Sequence, residues 1–507
     1  MKTTGYNVRI AVDDRVLVDV RGFQFSHNEI TVLFGESGIG KSLISRALYG
    51  LLDPDEFDVT VNDEPYEAYL NRPEVRAIRE NSFFVFQEPS SHLTPLMTLR
   101  EQLREGSLAK APAESAILRE LWTQEESRED AAIAADKLLD VFPKPHRPSG
   151  GEKQRMFLVM ALKKIDMVLA LARAGKECLF VFDEPTGSLD NHFRNVFLSL
   201  LLRRFKAHPF TVLLITHDYS IISEIAHAHK GLRDKIVFKE LKRTTQGLIL
   251  EGFDGETYTG WLHRQQREPS LRKNNTSPLL SVESRSAMFG RELTITRDQT
   301  GENECPLEVY PGKIVSLKAP SGEGKTTFLK MIMGLLEAEQ FRMVLCGHAV
   351  SHESAGSLWR HDIWGKRMTM VFQHADEALN PASRVKEIFE GLPIQETVTP
   401  DMLRKHLGRL FDDELSEEFL NTRVFALSGG QKQRLNLARA LVLRTDIVLL
   451  DEPFNGLDFE SITRVFSMLS ELQKEERGFV LVSHNEEIVR ALVPEENTYF
   501  LRARNPG

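Results

Sequence analysis

Cysteine is scarce in this 507-residue chain: Cys178, Cys305 and Cys346 stand far apart, with no C-x-x-C pair. That spacing indicates neither a disulfide framework nor a zinc site. No window approaches 18 consecutive uncharged apolar residues, so no bilayer span is expected. The opening residues, MKTTGYNVRIAVDD, lack the apolar core of a secretory signal. A basic excess is missing too: 64 Lys and Arg against 73 Asp and Glu leave a net charge of −9. Proteins that live on a phosphate backbone carry the opposite balance, so no nucleic-acid partner is expected. The expected place is the cytoplasm, either free or at the cytoplasmic face of a membrane.

What the chain does contain, it contains twice. GESGIGKS (Gly35, Glu36, Ser37, Gly38, Ile39, Gly40, Lys41, Ser42) fits the phosphate-binding loop G-x-x-x-x-G-K-[ST]. APSGEGKT answers it, with Ala319 in place of the first glycine, then Ser321, Gly322, Glu323, Gly324, Lys325 and Thr326, followed by Thr327. In such loops glycines let backbone N–H groups turn around the phosphates, lysine neutralises charge, and the hydroxyl serves Mg²⁺. Apolar strands (ITVLF, KIVSLK) are expected before the loops and helices (SLISRALYGLL, TTFLKMIMGLL) after them.

The same series follows each loop. Lys41 and Lys325 are 284 positions apart, Gln87 and Gln373 286, Ser149 and Ser428 279, Asp183 and Asp451 268, His217 and His484 267. The first half is therefore 7 residues longer between glutamine and Ser-Gly-Gly, and 11 longer between Ser-Gly-Gly and Asp-Glu. Insertions of this kind belong on surfaces; the longer one, within KKIDMVLALARAGKECLF, is expected to lengthen a helix and its loop. Between the halves, a polar tract with HRQQREPSLRKNNTS reads as a solvated connector. The boundaries drawn are 1–235 for the first domain, 236–278 for the connector and 279–507 for the second domain.

LFVFDEP and IVLLDEP are apolar strands ending in paired carboxylates, where doubly wound α/β folds place ligand chemistry. Asp183 and Asp451 are candidates to hold Mg²⁺, and Glu184 and Glu452 to polarise an attacking water. PSGGEKQR (Ser149, Gly150, Gly151) and LSGGQKQR (Ser428, Gly429, Gly430, Gln431) each open a helix with a hydroxyl and close backbone approach, an anion-binding device. His227 and His229 do not complete a metal site and read as ordinary surface.

In this order the motifs resemble those of ABC-type ATPases, and the resemblance covers nearly all of both halves. It implies an α/β fold of two P-loop NTPase domains, each with a helical subdomain, paired head to tail around two ATP. Gln87 in VFQEP and Gln373 in VFQHA match the family's Q-loop, a further Mg²⁺ contact. Ser188, Leu189 and Asp190, and Gly456, Leu457 and Asp458, match its D-loop; His217 and His484 match its switch histidine. Site one would join the Gly35 loop, Gln87, Asp183, Glu184 and His217 to Ser428, Gly429, Gly430 and Gln431. Site two would join the Ala319 loop, Gln373, Asp451, Glu452 and His484 to Ser149, Gly150, Gly151 and Glu152. For an adenine-stacking aromatic, Tyr6 and Phe289 stand at suitable distances.

Three departures, Ala319, Pro148 and Glu152, all fall on site two, so site one is expected to be the more regular ATPase. After the glutamines, LTPLMTL and LNPASRV share a frame similar to the ATPase subunits of peptide/nickel-type importers, in which that region receives a membrane subunit. The family's C-terminal cysteine-bearing tail is not seen after either half. The resemblance thus implies an ATP- and Mg²⁺-dependent ATPase driving transport, with permease subunits and a substrate-binding protein as partners. The competing expectation is a soluble tandem ATPase that assembles or activates a protein complex.

Overall fold

The computed structural model describes residues 3–13, 15–105, 113–122, 137–141, 148–170, 178–185, 191–244, 247–265, 276–320, 323–394, 398–411 and 415–504. Ser188, Leu189, Asp190, Ser321 and Gly322 lie outside them. The chain divides into two units, Met1–Thr259 and Gly260–Gly507.

In the first unit ten strands make one sheet. They are β1 (Thr3–Val12), β2 (Arg15–Ser26), β3 (Ile30–Gly35), β4 (Asp58–Val61), β5 (Glu64–Pro65), β6 (Phe84–Val85), β7 (Phe180–Asp183), β8 (Val212–Ile215), β9 (Ile236–Thr244) and β10 (Gly247–Gly252). Their order is β5-β4-β1-β2-β10-β9-β3-β8-β7-β6, and β9 to β6 run parallel. Every residue of β3, β7 and β8 is buried. Parallel strands covered on both faces need such unbroken apolar runs, which is why these segments do not alternate. The helices that matter to the site are α1 (Lys41–Tyr49), α2 (Leu99–Arg104), α3 (Ala113–Trp122), α4 (Gly150–Ala170), α5 (Asn191–Ala207) and α6 (Ser220–Ala228). Residues 236–252, read as connector, supply β9 and β10, and a helix, α7 (Gly255–Gln265), follows. Their apolar positions are interleaved with lysines and glutamates, the mark of a strand at the edge of a core rather than of a linker.

The second unit repeats the scheme with two sheets. Strands β12 (Arg285–Met288), β13 (Arg291–Thr296), β15 (Ile314–Lys318), β18 (Met368–Val371), β19 (Ile447–Asp451), β20 (Gly478–Val482) and β21 (Thr498–Arg504) take the order β12-β13-β21-β15-β20-β19-β18. A separate sheet holds β11 (Leu280–Val282), β14 (Leu307–Val309), β16 (Arg342–Leu345) and β17 (His348–Ser351). Its helices include α8 (Lys325–Ile332), α9 (Pro400–Phe411), α10 (Gly429–Val442) and α11 (Phe459–Leu472). In both units the loop strand sits in mid-sheet beside the histidine strand, with the Asp-Glu strand next to that. The three motifs therefore meet at one carboxyl edge. Helix α4 has 21 residues against 14 in α10, so much of the longer insertion is helix, as expected.

Candidate functional site

The first loop can exist only with glycine at its ends. Gly35 has φ +143°, and a Cβ there would lie 2.6 Å from the Leu241 carbonyl oxygen of the paired strand β9. Gly40, at φ +111°, N-caps α1 with Val18 equally close. Neither position accepts a side chain without strain. The second loop is built differently. Ala319 has no positive φ, and its methyl packs on the core of its unit. The substitution is thus matched by the backbone, which answers the cost that alanine would carry in a left-handed position.

Both lysines fold back on their loops. Lys41 Nζ donates to the Gly35 and Glu36 carbonyls at 2.6 and 2.9 Å, and Lys325 Nζ to those of Ala319 and Pro320 at 2.7 and 3.3 Å. The hydroxyls face the carboxylates and glutamines: Ser42 Oγ donates to Asp183 Oδ1 at 2.9 Å, and Thr326 Oγ1 lies 3.5 Å from Gln373 Oε1. Asp183 and Asp451 are fully buried, and among the described residues no hydrogen bond of good geometry reaches Asp183 Oδ2 or either Asp451 oxygen, the Thr326 hydroxyl standing beside the latter. Burial pushes the Asp183 carboxyl up to about 6 and raises that of Asp451. Orphaned buried oxygens beside a hydroxyl, joined in the second half by the Gln373 amide oxygen, form an all-oxygen donor set that suits a small hard cation.

Glu184 and Glu452 follow on the next residue in left-handed backbone, φ 45° and 49°. A non-glycine residue in that region is strained, and the same strain in both halves accompanies a glutamate that meets the histidine of its own half. Their surroundings differ. Glu184 Oε2 accepts from Gln87 Nε2 at 2.8 Å, and His217 Nδ1 lies 3.3 Å from Oε1. Burial pushes the Glu184 carboxyl up, but the charge of His217, with Lys41 and Gln87, outweighs it and holds the group down to about 2. The same pairing raises His217 against its own burial. Glu452 accepts instead from the His484 backbone N–H at 3.0 Å, while the His484 ring stands 3.5 Å away and 43% exposed. Burial pushes Glu452 up to about 7, and the Asp451 charge adds to that.

Opposite shifts give opposite pH behaviour in the nucleotide-free protein. Glu184, held below its ordinary 4.5, contributes stability present above that value and lost as pH falls toward 2. Glu452, raised to about 7, removes stability as pH climbs from 4.5 to 7. Near pH 6, where the raised His217 still carries its charge, Glu184→Gln is expected to lower the thermal midpoint; near pH 8, Glu452→Gln is expected to raise it. Near pH 4 the gain from Glu452→Gln should vanish; scanning calorimetry at the three pH values checks these signs.

The Ser-Gly-Gly segments also take one shape. Ser428 Oγ accepts from the Gln431 N–H at 3.1 Å while Gln431 Oε1 accepts from the Ser428 N–H at 3.0 Å, a capping box on α10. Ser149 and Glu152 make the same reciprocal pair on α4, at 3.2 and 2.6 Å. Glu152 therefore does the work of Gln431, and its extra charge lies against a helix N-terminus, where a carboxylate is favoured. Asp458 accepts from Ser461 N–H at 2.8 Å and caps α11. Of the two aromatic candidates, Tyr6 stacks on Phe25 within the sheet. Phe289 is 71% exposed, with φ 52°, in the β12–β13 turn. His227 Nδ1 lies 2.7 Å from the Ser223 carbonyl of its own helix, and among the described residues no cluster of His, Cys, Asp and Glu could hold a metal by itself.

The family described as ABC transporter matches residues 18–187 and 303–455. The chain belongs to the ABC transporter family. Both matches hold a phosphate loop, so it is a duplicated ABC ATPase, an enzyme that hydrolyses ATP. It is 28% identical, over 94% of its length and 89% of the relative's, to an uncharacterized ABC transporter ATP-binding protein, YejF, of Escherichia coli K12. It is 28% identical to the peptidoglycan transport ATP-binding protein YejF of Agrobacterium fabrum (94% and 86% covered). Its identity to the glutathione import ATP-binding protein GsiA of E. coli K12 is 25% (96% and 82% covered). Among solved structures, an archaeal ribosome recycling factor in complex with a ribosomal stalk protein matches 96% of this chain and 87% of its own, with a TM-score of 0.58 at 16% identity. That likeness is one of fold. ABC domains in general use ATP with Mg²⁺. No helix among the described residues is long and apolar enough to cross a membrane.

Three features of the site were not legible in the sequence: the left-handed glutamates, the opposed states of Glu184 and Glu452, and a clamp on the residue after His217. Each depends on backbone or contacts between segments far apart in the chain, for which the motifs carry no signal.

Proposed function

We propose that this ABC ATPase powers an importer through an intramolecular sandwich of its halves, each ATP held by the loop of one half and the Ser-Gly-Gly segment of the other. In this reading Ser42, Asp183 and Gln87, and Thr326, Asp451 and Gln373, hold Mg²⁺, which would supply charge neutralisation at the phosphates. Lys41 and Lys325 leave their loop carbonyls for the phosphates; Glu184 and Glu452 orient and deprotonate the attacking water. His217 and His484 face the γ-phosphate. Phe289, exposed at its turn, is the better placed of the two aromatics to stack on adenine.

The observation that carries the transport reading is the shape of the two frames after the glutamines. Leu93 and Leu99 are buried, as are Leu379 and Val385, and the intervening Leu96 is 84% exposed. The frames open alike, with Thr98 N–H donating to Glu101 at 2.7 Å and Arg384 N–H to Glu387 at 2.8 Å. Each frame is also tied to the segment before the Ser-Gly-Gly helix, by Leu99 N–H to Val141 O at 3.1 Å and Val385 N–H to Thr422 O at 3.0 Å. A partner pressing on either frame would thus act on the cap of an ATP site. The sequence relatives, YejF and GsiA, point the same way.

The second reading, a soluble tandem ATPase acting on a protein complex, is favoured by the solved structures that match the whole chain, whose named partner is a ribosomal stalk protein. Affinity purification from detergent-solubilised cells separates the two. Transport predicts stoichiometric recovery of a polytopic membrane protein, lost on Leu96→Asp while ATP hydrolysis persists. Recovery of ribosomes or a soluble complex, with the chain wholly in the supernatant, would sink the transport reading.

A further inference from the structure

The turn that carries His217 is held from outside the motif series. Asp218 accepts from the Ser220 N–H at 3.0 Å and Ser220 Oγ at 2.6 Å, and its own N–H donates to Thr216 Oγ1 at 3.0 Å. Its other carboxylate oxygen receives the Arg194 guanidinium, which also donates to Ser220 Oγ. Arg194 is 5% exposed and lies in the first turn of α5. A second contact fixes that turn: the guanidinium of Arg155, from the Ser-Gly-Gly helix α4, stacks 3.6 Å over the ring of Phe193. Arg194 Nε donates to Asn195 Oδ1 at 3.0 Å, and Asn195 Nδ2 to Glu224 on α6 at 2.9 Å.

Among the described residues the second half shows no such clamp. Ile462, four residues after Asp458 as Arg194 is four after Asp190, is buried and apolar. Asn485, following His484, caps the next helix through Ile488 N–H at 3.1 Å. Arg434, the counterpart of Arg155, stacks instead on Phe411, 4.7 Å from its ring, and donates to the Leu410 carbonyl at 2.9 Å. The difference coincides with the one between the histidines: His217 faces its glutamate with its side chain 23% exposed, and that of His484 is 43% exposed.

We infer that Arg194 is a positioning residue for ATP hydrolysis: clamped on Asp218 and Ser220, it fixes the turn that holds His217 against Glu184 in the first half. The inference rests on the reading of His217 as a γ-phosphate contact. It does not make Arg194 a catalytic residue, since it acts through its neighbours. A misplaced turn of this kind lowers turnover by roughly 10–100-fold while leaving ground-state binding alone.

Removing one partner of a buried pair leaves a lone charge and can prevent folding, so the test uses Arg194→Met together with Asp218→Asn, and separately Arg194→Lys. Single turnover with enzyme in excess, in a Lys325→Ala chain that silences the second site, reads slow residual rates and gives phosphate release and the ATP dependence. The double variant should lose about tenfold or more in rate with half-saturation unchanged, and Arg194→Lys should recover most of it. In a His217→Ala chain the double variant should cause no further loss. Additive loss in that background, or weakened ATP binding with an unchanged rate, overturns the inference. If His217→Ala by itself leaves phosphate release unaltered, the reading of His217 has failed and the inference falls with it.

Discussion

With the other site silenced by Lys325→Ala, single-turnover hydrolysis by Glu184→Gln is expected to fall by about 10²–10⁴-fold, the usual contribution of a positioned general base, and with Lys41→Ala in its place Glu452→Gln is expected to cost less. The reason is the state in which each glutamate waits. Glu184 is ionised, bonded to Gln87 and faced by His217. Glu452, which burial pushes up, accepts instead from the His484 backbone N–H at 3.0 Å, and the His484 side chain is more exposed than that of His217. A glutamate already held by two side chains is the better oriented base, so its removal loses more. Equal losses from the two variants at neutral pH would contradict the asymmetry.

The second large effect is at the loops' first residues. Gly35→Ala forces a side chain into φ +143° and against the Leu241 carbonyl. Left-handed strain alone costs about 1–3 kcal/mol, which in a unit of this size lowers the thermal midpoint by roughly 2–10 °C. Lys41, anchored on the Gly35 carbonyl at 2.6 Å, moves with it, so the rise in midpoint on adding ATP and Mg²⁺ should shrink as well. Ala319→Gly, made where the backbone is not left-handed, should shift the midpoint by only about 0.5–1 kcal/mol equivalent, through unfolded-state freedom. Calorimetry of the two variants with and without nucleotide checks the contrast; a Gly35→Ala midpoint equal to that of the parent would refute it.

Much of this architecture could be read before any coordinates. The strands of ITVLF, LFVFDEP and LLITHD are short apolar runs followed by polar punctuation, and burial on both faces admits little else. The phosphate loop, the Asp-Glu pair and the Ser-Gly-Gly helix each couple a local shape to a local chemistry, so residue order suffices to identify them. Glu152 shows where that legibility stops. As a sequence letter it puts charge beside a phosphate site; in the fold it closes a capping box on Ser149. The β9–β10 hairpin shows another boundary, because its polar-rich strands are recognisable only by their pairing with β2 and β3. The Arg194–Asp218 clamp is a third case, since two residues 24 positions apart announce nothing until α5 and the histidine turn are packed together.

The backbone bonds from Leu99 to Val141 and from Val385 to Thr422 close rings of 42 and 37 positions. The distance from each glutamine to its ring is 12 positions in both halves, so none of the first half's 7 extra residues falls there. Five lie inside the ring and two between it and Ser-Gly-Gly. Closing the longer ring costs only about 0.1 kcal/mol more, by the logarithmic dependence of loop entropy on length. The region between the two anchors is therefore free to change in size and composition at almost no thermodynamic penalty, while the spacing that joins glutamine to frame stays constant.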